Sequence, residues 1–213
     1  MSGQARREVI EAAAAEVFAE RGYHGASIDE ICRRSGVTPP VLYDHFESKL
    51  DLHARLLERT RDELLALWRD NLAGDEPAER RIPRALDAWA AYVQQHPYVP
   101  RMFFAETTGE PEIEAIHQEV RAQATVALGV ILGREVGGAG SAERVNHEMA
   151  AEIMRAGLAG LAIWWSEHPE VPRKQIVATA LNVLWIGFER LRRGESWHPD
   201  PAPHTATDRH PDD

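Results

Sequence analysis

Paired Glu and His residues at helical spacing are the first places to look for chemistry in this chain. Glu114-Ala-Ile-His117 is a Glu-x-x-His pair, the unit from which helix bundles build di-iron sites. Such a site needs two of these pairs and two further Glu on facing helices. The other Glu-x-x-His, Glu195-Ser-Trp-His198, lies at the edge of a Pro-rich, acidic tail. His147-Glu148 begins as a zinc-protease helix begins, but Ala151 stands where the second His is needed. His198, His204 and His210 are scattered along the tail with no sign of order. The single cysteine, Cys32, forbids an intrachain disulfide and reads as a small core residue. No nucleophile elbow and no phosphate-cradling glycine motif is present. The expectation is no catalytic group, no metal and no cofactor. The competing reading is an all-α metal-carboxylate protein or enzyme using Glu114 and His117.

Binding chemistry is concentrated in Gly25–Lys49, GASIDEICRRSGVTPPVLYDHFESK. Ser27-Ile28-Asp29-Glu30 predicts a capping box, with Ser27 capping a helix and Glu30 reaching back. Gly36 supplies the left-handed turn out of that helix, and Val37 plugs the turn. Thr38 can cap a second helix with Pro39 at its first position, where a missing N–H costs nothing. Leu42 and Phe46 face inward, leaving Val41, Tyr43, Asp44 and His45 around the outer surface. Two short helices joined by a Gly-containing turn make a helix-turn-helix, whose second helix enters the DNA major groove. Ser48 caps the next, long helix, with Asp51 as its capping partner, which places Lys49 at the first helical position. A cation there opposes the helix dipole at a cost of about 0.3–1 kcal/mol. A DNA phosphate would compensate it.

This stretch resembles the tetracycline-repressor (TetR) family of bacterial transcriptional regulators. The resemblance rests on Ser27, Ile28, Ile31, Gly36-Val37-Thr38, Leu42-Tyr43, His45-Phe46 and Ser48-Lys49-Leu50, and covers about residues 6–60. Beyond them the chain is similar only in helix count, total length and its two long final helices. The resemblance implies that Lys49 and Tyr43 contact phosphates, with Ser27, Thr38 and His45 as helpers. Base reading falls to Pro39, Pro40 and Val41 at the start of the recognition helix. Many relatives carry Gly and Thr or Ser where this chain has Pro40 and Val41. None of these three side chains donates a hydrogen bond, so contact with thymine methyls and shape readout are expected. Arg6 and Arg7 can add contacts from the N-terminal arm. The resemblance also implies a homodimer through the last two long helices and an effector pocket enclosed by the middle ones. Ligand binding would then tilt the connector helix and spoil the spacing of the two heads.

Helical periodicity supplies the elements that position these residues. Val9, Ile10, Ala13, Ala14, Val17 and Phe18 form one stripe, ended by Gly22. Leu52, Leu56, Leu57, Thr60, Leu64, Leu67 and Trp68 form a longer one. Ile82, Leu86, Trp89 and Val93 mark a helix stopped at His96-Pro97, and Pro97–Thr108 reads as a short helix and loop. Ile113 to Ile131 marks another, followed by a glycine connection of Gly133, Gly137, Gly138 and Gly140. Helices of about Ala142–Glu167 and Arg173–Arg193 close the fold. No segment alternates as a strand does, so the fold class is all-α with about nine helices. The expected domains are a DNA-binding head over 4–63, an effector-binding and dimerisation body over 64–194, and a disordered tail over 195–213. Trp89, Tyr92, Phe103, Phe104, His117, Trp164 and Trp165 are the pocket candidates, and they point to a small apolar or aromatic effector. Ala156, Gly157, Gly160 and Gly187 allow close helix approach, in a dimer interface or inside the fold.

Charge and hydropathy bound the partners. The 213 residues carry 34 acidic and 24 basic side chains, a formal charge of −10. Residues 1–50 carry only −2 of it, with 6 basic and 8 acidic groups. The head's DNA contacts must therefore be few and well placed. The longest run without a charged residue is Gln175–Phe188, 14 residues, too short to span a membrane. No signal peptide is evident, because Glu8, Glu11, Glu16 and Glu20 interrupt the N-terminal apolar run. A reducing, cytoplasmic location is expected, with double-stranded operator DNA as the main partner.

Overall fold

The computed structural model describes residues 2–105, 111–136, 141–187 and 193. Their regular structure is entirely helical. The elements are α1 (Gly3–Gly25), α2 (Ile28–Ser35), α3 (Pro39–Tyr43), α4 (Lys49–Leu72) and α5 (Ala78–Gln95). A π-helical turn over Pro100–Phe104 follows, then α6 (Pro111–Val136), α7 (Ser141–Glu167) and α8 (Arg173–Ala180). With the π-helical turn counted as an element, nine helices stand among the described residues, matching the periodicity.

The helix ends show where local signals were read well and where they were not. Ser48 caps α4 by accepting from the Asp51 N–H at 3.0 Å, and Asp51 accepts in turn from the Glu47 N–H at 3.0 Å. α5 stops at His96 as Pro97 requires. Gly22 breaks α1 where the stripe ends: it adopts φ 67°, ψ 175°, and one further turn to Gly25 follows the break. Gly133, by contrast, is not in a connection. It lies within α6 and lets His147 of α7 approach, since a Cβ added there would meet the His147 ring at 3.1 Å. The last helix is regular only to Ala180 and continues as a π-helical segment, Leu181–Trp185. The tail 195–213, the glycines 137, 138 and 140, and Thr108 lie outside the described residues.

Two apolar clusters organise the chain. The first joins Ile10, Val17, Phe18, Ile31, Cys32, Leu42 and Phe46 of the N-terminal helices to Leu52 and Leu56 of α4. The second joins Leu64, Trp68 and Leu72 of α4 to Leu86, Trp89, Leu128, Leu158, Trp165 and Ile176. One helix thus roots in both, near its start and from its middle onward. The π-helical turn bridges them a second time: Met102 is buried in the first cluster, and Phe103 packs against both.

Candidate nucleic-acid interface and effector cleft

α2 and α3 are short helices whose geometry is set by their ends. Ser27 Oγ accepts from the Glu30 N–H at 3.2 Å, the predicted cap. Glu30 does not reach back to complete a box. Its carboxylate accepts from Arg33 at 2.7 Å and from Arg34 at 2.9 Å, and these bonds hold its pKa down to about 2. Gly36 turns the chain at φ 68°. Thr38 occupies the cap position of α3 but makes no side-chain cap bond. Pro39 and Pro40 fill the first two helical positions, so the usual donor at the second position is absent. The Thr38 hydroxyl stays exposed and available. Leu42 and Phe46 are fully buried beneath, as predicted.

Above them lies an exposed face. Ser27, Thr38, Pro39 and Pro40 are exposed, Tyr43 is 51 % exposed, and Val41 and His45 are half-buried. Lys49 stands at the first position of α4, and its Nζ donates to the carbonyls of Tyr23 at 2.9 Å and Ala26 at 3.1 Å. It also lies 4.3 Å from the centroid of the Tyr23 ring. The break at Gly22 sets the last turn of α1, and that turn and the residue after it present these two carbonyls. The cation thus compensates an orphaned helix C-terminus while one of its three N–H groups remains to donate. Arg7 pairs with Glu11 at 2.9 Å and packs on Phe46. Arg34 is clamped by Glu20 at 2.5 Å and by Glu30, tying α2 to α1 rather than facing outward. Arg6 makes no side-chain hydrogen bond or ion pair among the described residues.

Of the pocket candidates, Trp89, Phe103 and Phe104 come together. They line a narrow apolar cleft with about 70 Å³ of enclosed space between α4, α6 and α7, floored also by Leu64, Trp68, Leu128 and Leu158. The others sit elsewhere. Tyr92 donates to Glu63 at 2.6 Å, and burial together with that bond pushes its phenol pKa well up. Trp164 is on the outer face, stacked on His168 at 4.0 Å. Trp165 is buried and donates to the Val171 carbonyl at 2.8 Å. Sequence reasoning missed Arg61, Arg121 and Arg155, which also line the cleft. The signal was there: each stands on its helix's apolar stripe, as in Arg61, Leu64, Leu65, Trp68 and in Arg121, Ala124, Leu128.

His117 has a different partner. It is buried on α6 with its Nε2 3.3 Å from Nε2 of His53, which is buried on α4. One ring must donate and the other accept, so the accepting ring is neutral. Burial lowers the pKa of His53 to about 3 and of His117 to about 4, each helped by a neighbouring positive charge or imidazole. His53 Nδ1 is buried with no partner. Glu114 is exposed and accepts from Gln118 at 3.2 Å, so it does not join His117. Among the described residues no three His, Cys, Asp or Glu side chains are grouped to hold a metal, and no helix is long and apolar enough to cross a membrane.

Comparison with known proteins follows this geometry. Residues 10–56 match the sequence profile of bacterial regulatory proteins, tetR family. The HTH-type transcriptional activator FasR of Mycolicibacterium smegmatis is 28% identical over 87% of this chain and 84% of its own. The HTH-type transcriptional regulator UidR of Escherichia coli is 37% identical over 33% of this chain, about a third (36%) of its own length. Among solved structures, FadR from Bacillus subtilis in complex with stearoyl-CoA superposes with a TM-score of 0.67 at 18% identity, covering 89% of this chain and 99% of that one. The fatty acid degradation regulator FadR from Bacillus halodurans gives 0.70 at 19% identity, over 89% and 95%.

Proposed function

This chain belongs to the tetR family of bacterial regulatory proteins and is a helix-turn-helix DNA-binding transcriptional regulator, not an enzyme; from that premise we propose that it binds a pseudo-palindromic operator as a homodimer and lets go when a small apolar or aromatic effector fills the cleft. The head spans 4–63 and the sensing body 64–194. The observation that carries the reading is the exposed, uncharged tip formed by Thr38, Pro39, Pro40 and Tyr43 on α3, whose first two positions are prolines. Pro39, Pro40 and Val41 read thymine methyls and groove shape, while Tyr43, Lys49, Ser27, Thr38 and His45 set the register on phosphates.

Dimerisation is supported by an apolar outer face. Val145, Met149, Ile153 and Trp164 form one exposed stripe on α7, beside exposed Val183 and Ile186 after α8. Gly157 is taken up by internal packing against Leu184, whereas Gly160 and Gly187 open onto free space. A second copy covering this face would set the two heads about 34–36 Å apart. The cleft supports the effector. Its aromatic walls fit an apolar body, and the FadR of like fold from Bacillus subtilis holds stearoyl-CoA. A ligand that prefers the splayed form by about 1–3 kcal/mol lowers DNA affinity about 5–150-fold. Phe103 and the His53–His117 bond are the contacts through which the cleft reaches the head. Repression follows where the operator overlaps a promoter, in the cytoplasm. FasR is named an activator, so the sign rests on operator placement.

The test is selection of binding sites from random DNA with the purified protein. A two-fold symmetric enriched site is expected, and recovery of no enriched sequence overturns the reading.

A further inference from the structure

The cleft between α4, α6 and α7 is apolar in its walls but not in its charge. Arg61, Arg121 and Arg155 enter it from three different helices. The Arg61 and Arg155 side chains are only 16% and 21% exposed. Arg61 is bonded to Asp62 at 2.8 Å and to Gln123. Arg155 is bonded to Glu152, whose other hydrogen bond comes from Thr125 at 2.6 Å. Arg121 is half-buried and makes no hydrogen bond or ion pair among the described residues. Two carboxylates therefore answer three guanidinium groups, leaving one positive charge at an apolar wall. Arg121 acts on the Glu152 carboxylate only through its field, since Glu152 accepts its hydrogen bonds from Arg155 and Thr125. A cation held partly out of water with no hydrogen-bonded acid of its own is unfavourable, and an incoming anion removes that cost.

We propose that this cleft selects an acidic effector, an amphipathic molecule whose apolar body lies against Trp68, Trp89, Phe103 and Leu128 and whose carboxylate or phosphate is held by Arg121. The proposal rests on the reading of this cleft as the effector site and adds the chemical class of the ligand. Arg61 and Arg155 flank the head group and raise the local potential, each already tethered by its own acid. A bare hydrocarbon or an alcohol fills the same space but leaves Arg121 as it was. The position of Arg121 also gives the acid a route to the head. It lies one turn beyond His117 on α6 and its field already lowers the pKa of that imidazole. Neutralising Arg121 acts on the ring that touches α4.

The intrinsic fluorescence of Trp68 and Trp89 reports occupancy. The full-length protein is titrated with dodecanoate, with dodecanol, and with dodecanoyl-CoA, in the wild type, in Arg121→Gln and in Arg121→Lys. Dodecanoate is expected to bind at least about tenfold tighter than dodecanol. Arg121→Gln should remove most of that difference by weakening the acid alone, and Arg121→Lys should keep part of it. Which of dodecanoate and dodecanoyl-CoA loses more affinity in Arg121→Gln identifies a carboxylate or a phosphate as the bound head. Equal affinity for acid and alcohol in the wild type overturns the proposal while leaving an apolar effector site intact. Equal weakening of acid and alcohol by Arg121→Gln overturns it too, as lost packing. If none of the three compounds binds the wild type, the effector reading of the cleft falls along with it.

Discussion

Lys49 begins α4, where a cation opposes the helix dipole, and the mismatch was legible from the capping sequence Ser48-Lys49-Leu50-Asp51 alone. Its answer was not, because the two carbonyls that accept from it are 23 and 26 residues earlier. Backbone acceptors carry no sequence signal of their own. In the proposed complex the lysine therefore has two tasks, bracing the end of α1 and offering its remaining N–H to a phosphate. Lys49→Ala should lower the melting temperature, since charge-assisted bonds are worth about 1.5–3 kcal/mol. It should also lower the salt slope of operator binding by about one per head. Calorimetry and binding at several salt concentrations separate the two effects, and an unchanged slope rules out the phosphate contact. Val41, proposed as a base reader from its position, is half-buried, so part of its contribution is packing. Val41→Ala should weaken operator binding about fivefold, for roughly 1 kcal/mol of lost apolar contact. On an operator with uracil in place of the contacted thymine, which lacks only the methyl group, the substitution should cost nothing further. A uniform loss on both operators refutes methyl reading.

The apolar stripe of α4 predicts a long helix and the family resemblance implies its connector role, and the structure roots it in both clusters. What the stripe did not reveal is that α4 touches α6 through an imidazole pair. His53 reads as one polar residue on an apolar face, and only the fold places His117, 64 residues later, against it. The same limit explains Gly133, whose small size serves α7 rather than a turn. The pair makes stability depend on pH in a calculable direction. Both folded values, about 3 and about 4, lie below the ordinary 6.5. Below pH 6.5 the unfolded chain binds protons that the native chain refuses, so stability is lost as pH falls toward the folded values. The slope is up to about 1.4 kcal/mol per pH unit for each histidine. Carboxylates held low by arginine, such as Glu30, contribute only below about pH 4.5, so the fall between pH 6.5 and 5 is dominated by histidine. Thermal melts across that interval should show a clear loss in the wild type and a shallower one in His117→Gln. Equal slopes in the two proteins would exclude the pair as its source. His117→Gln should also bind effector normally yet release operator less completely, if this bond joins cleft to head.

Taken as one body, the protein keeps its charge away from its reading tip. The head's −2 is further muted by internal pairing, since Arg7, Arg21, Arg33 and Arg34 are spent on Glu11, Glu30 and Glu20. Arg6 and Lys49 are then the cations left for DNA in each head, so the proposed dimer would neutralise about four phosphates. The slope of log affinity against log salt should be near −4, shallow for a specific DNA-binding protein. Affinity from so few charges has to be doubled by symmetry, which makes the outer apolar face decisive. Ile153 is 67% exposed at the centre of the α7 stripe, and Val183 in the segment after α8 is 70% exposed. A lone chain gains nothing from such exposure, whereas a second copy buries it against itself. Ile153→Arg should leave the fold and cleft intact, because the side chain points away from both clusters. It should shift sedimentation from dimer to monomer and reduce operator affinity at least about a hundredfold, the advantage that linked heads hold over separate ones. The salt slope of the monomer should fall to about half, near −2, since one head remains on the DNA. A variant that stays dimeric places the interface elsewhere, and one that turns monomeric with undiminished operator affinity shows that a single head suffices.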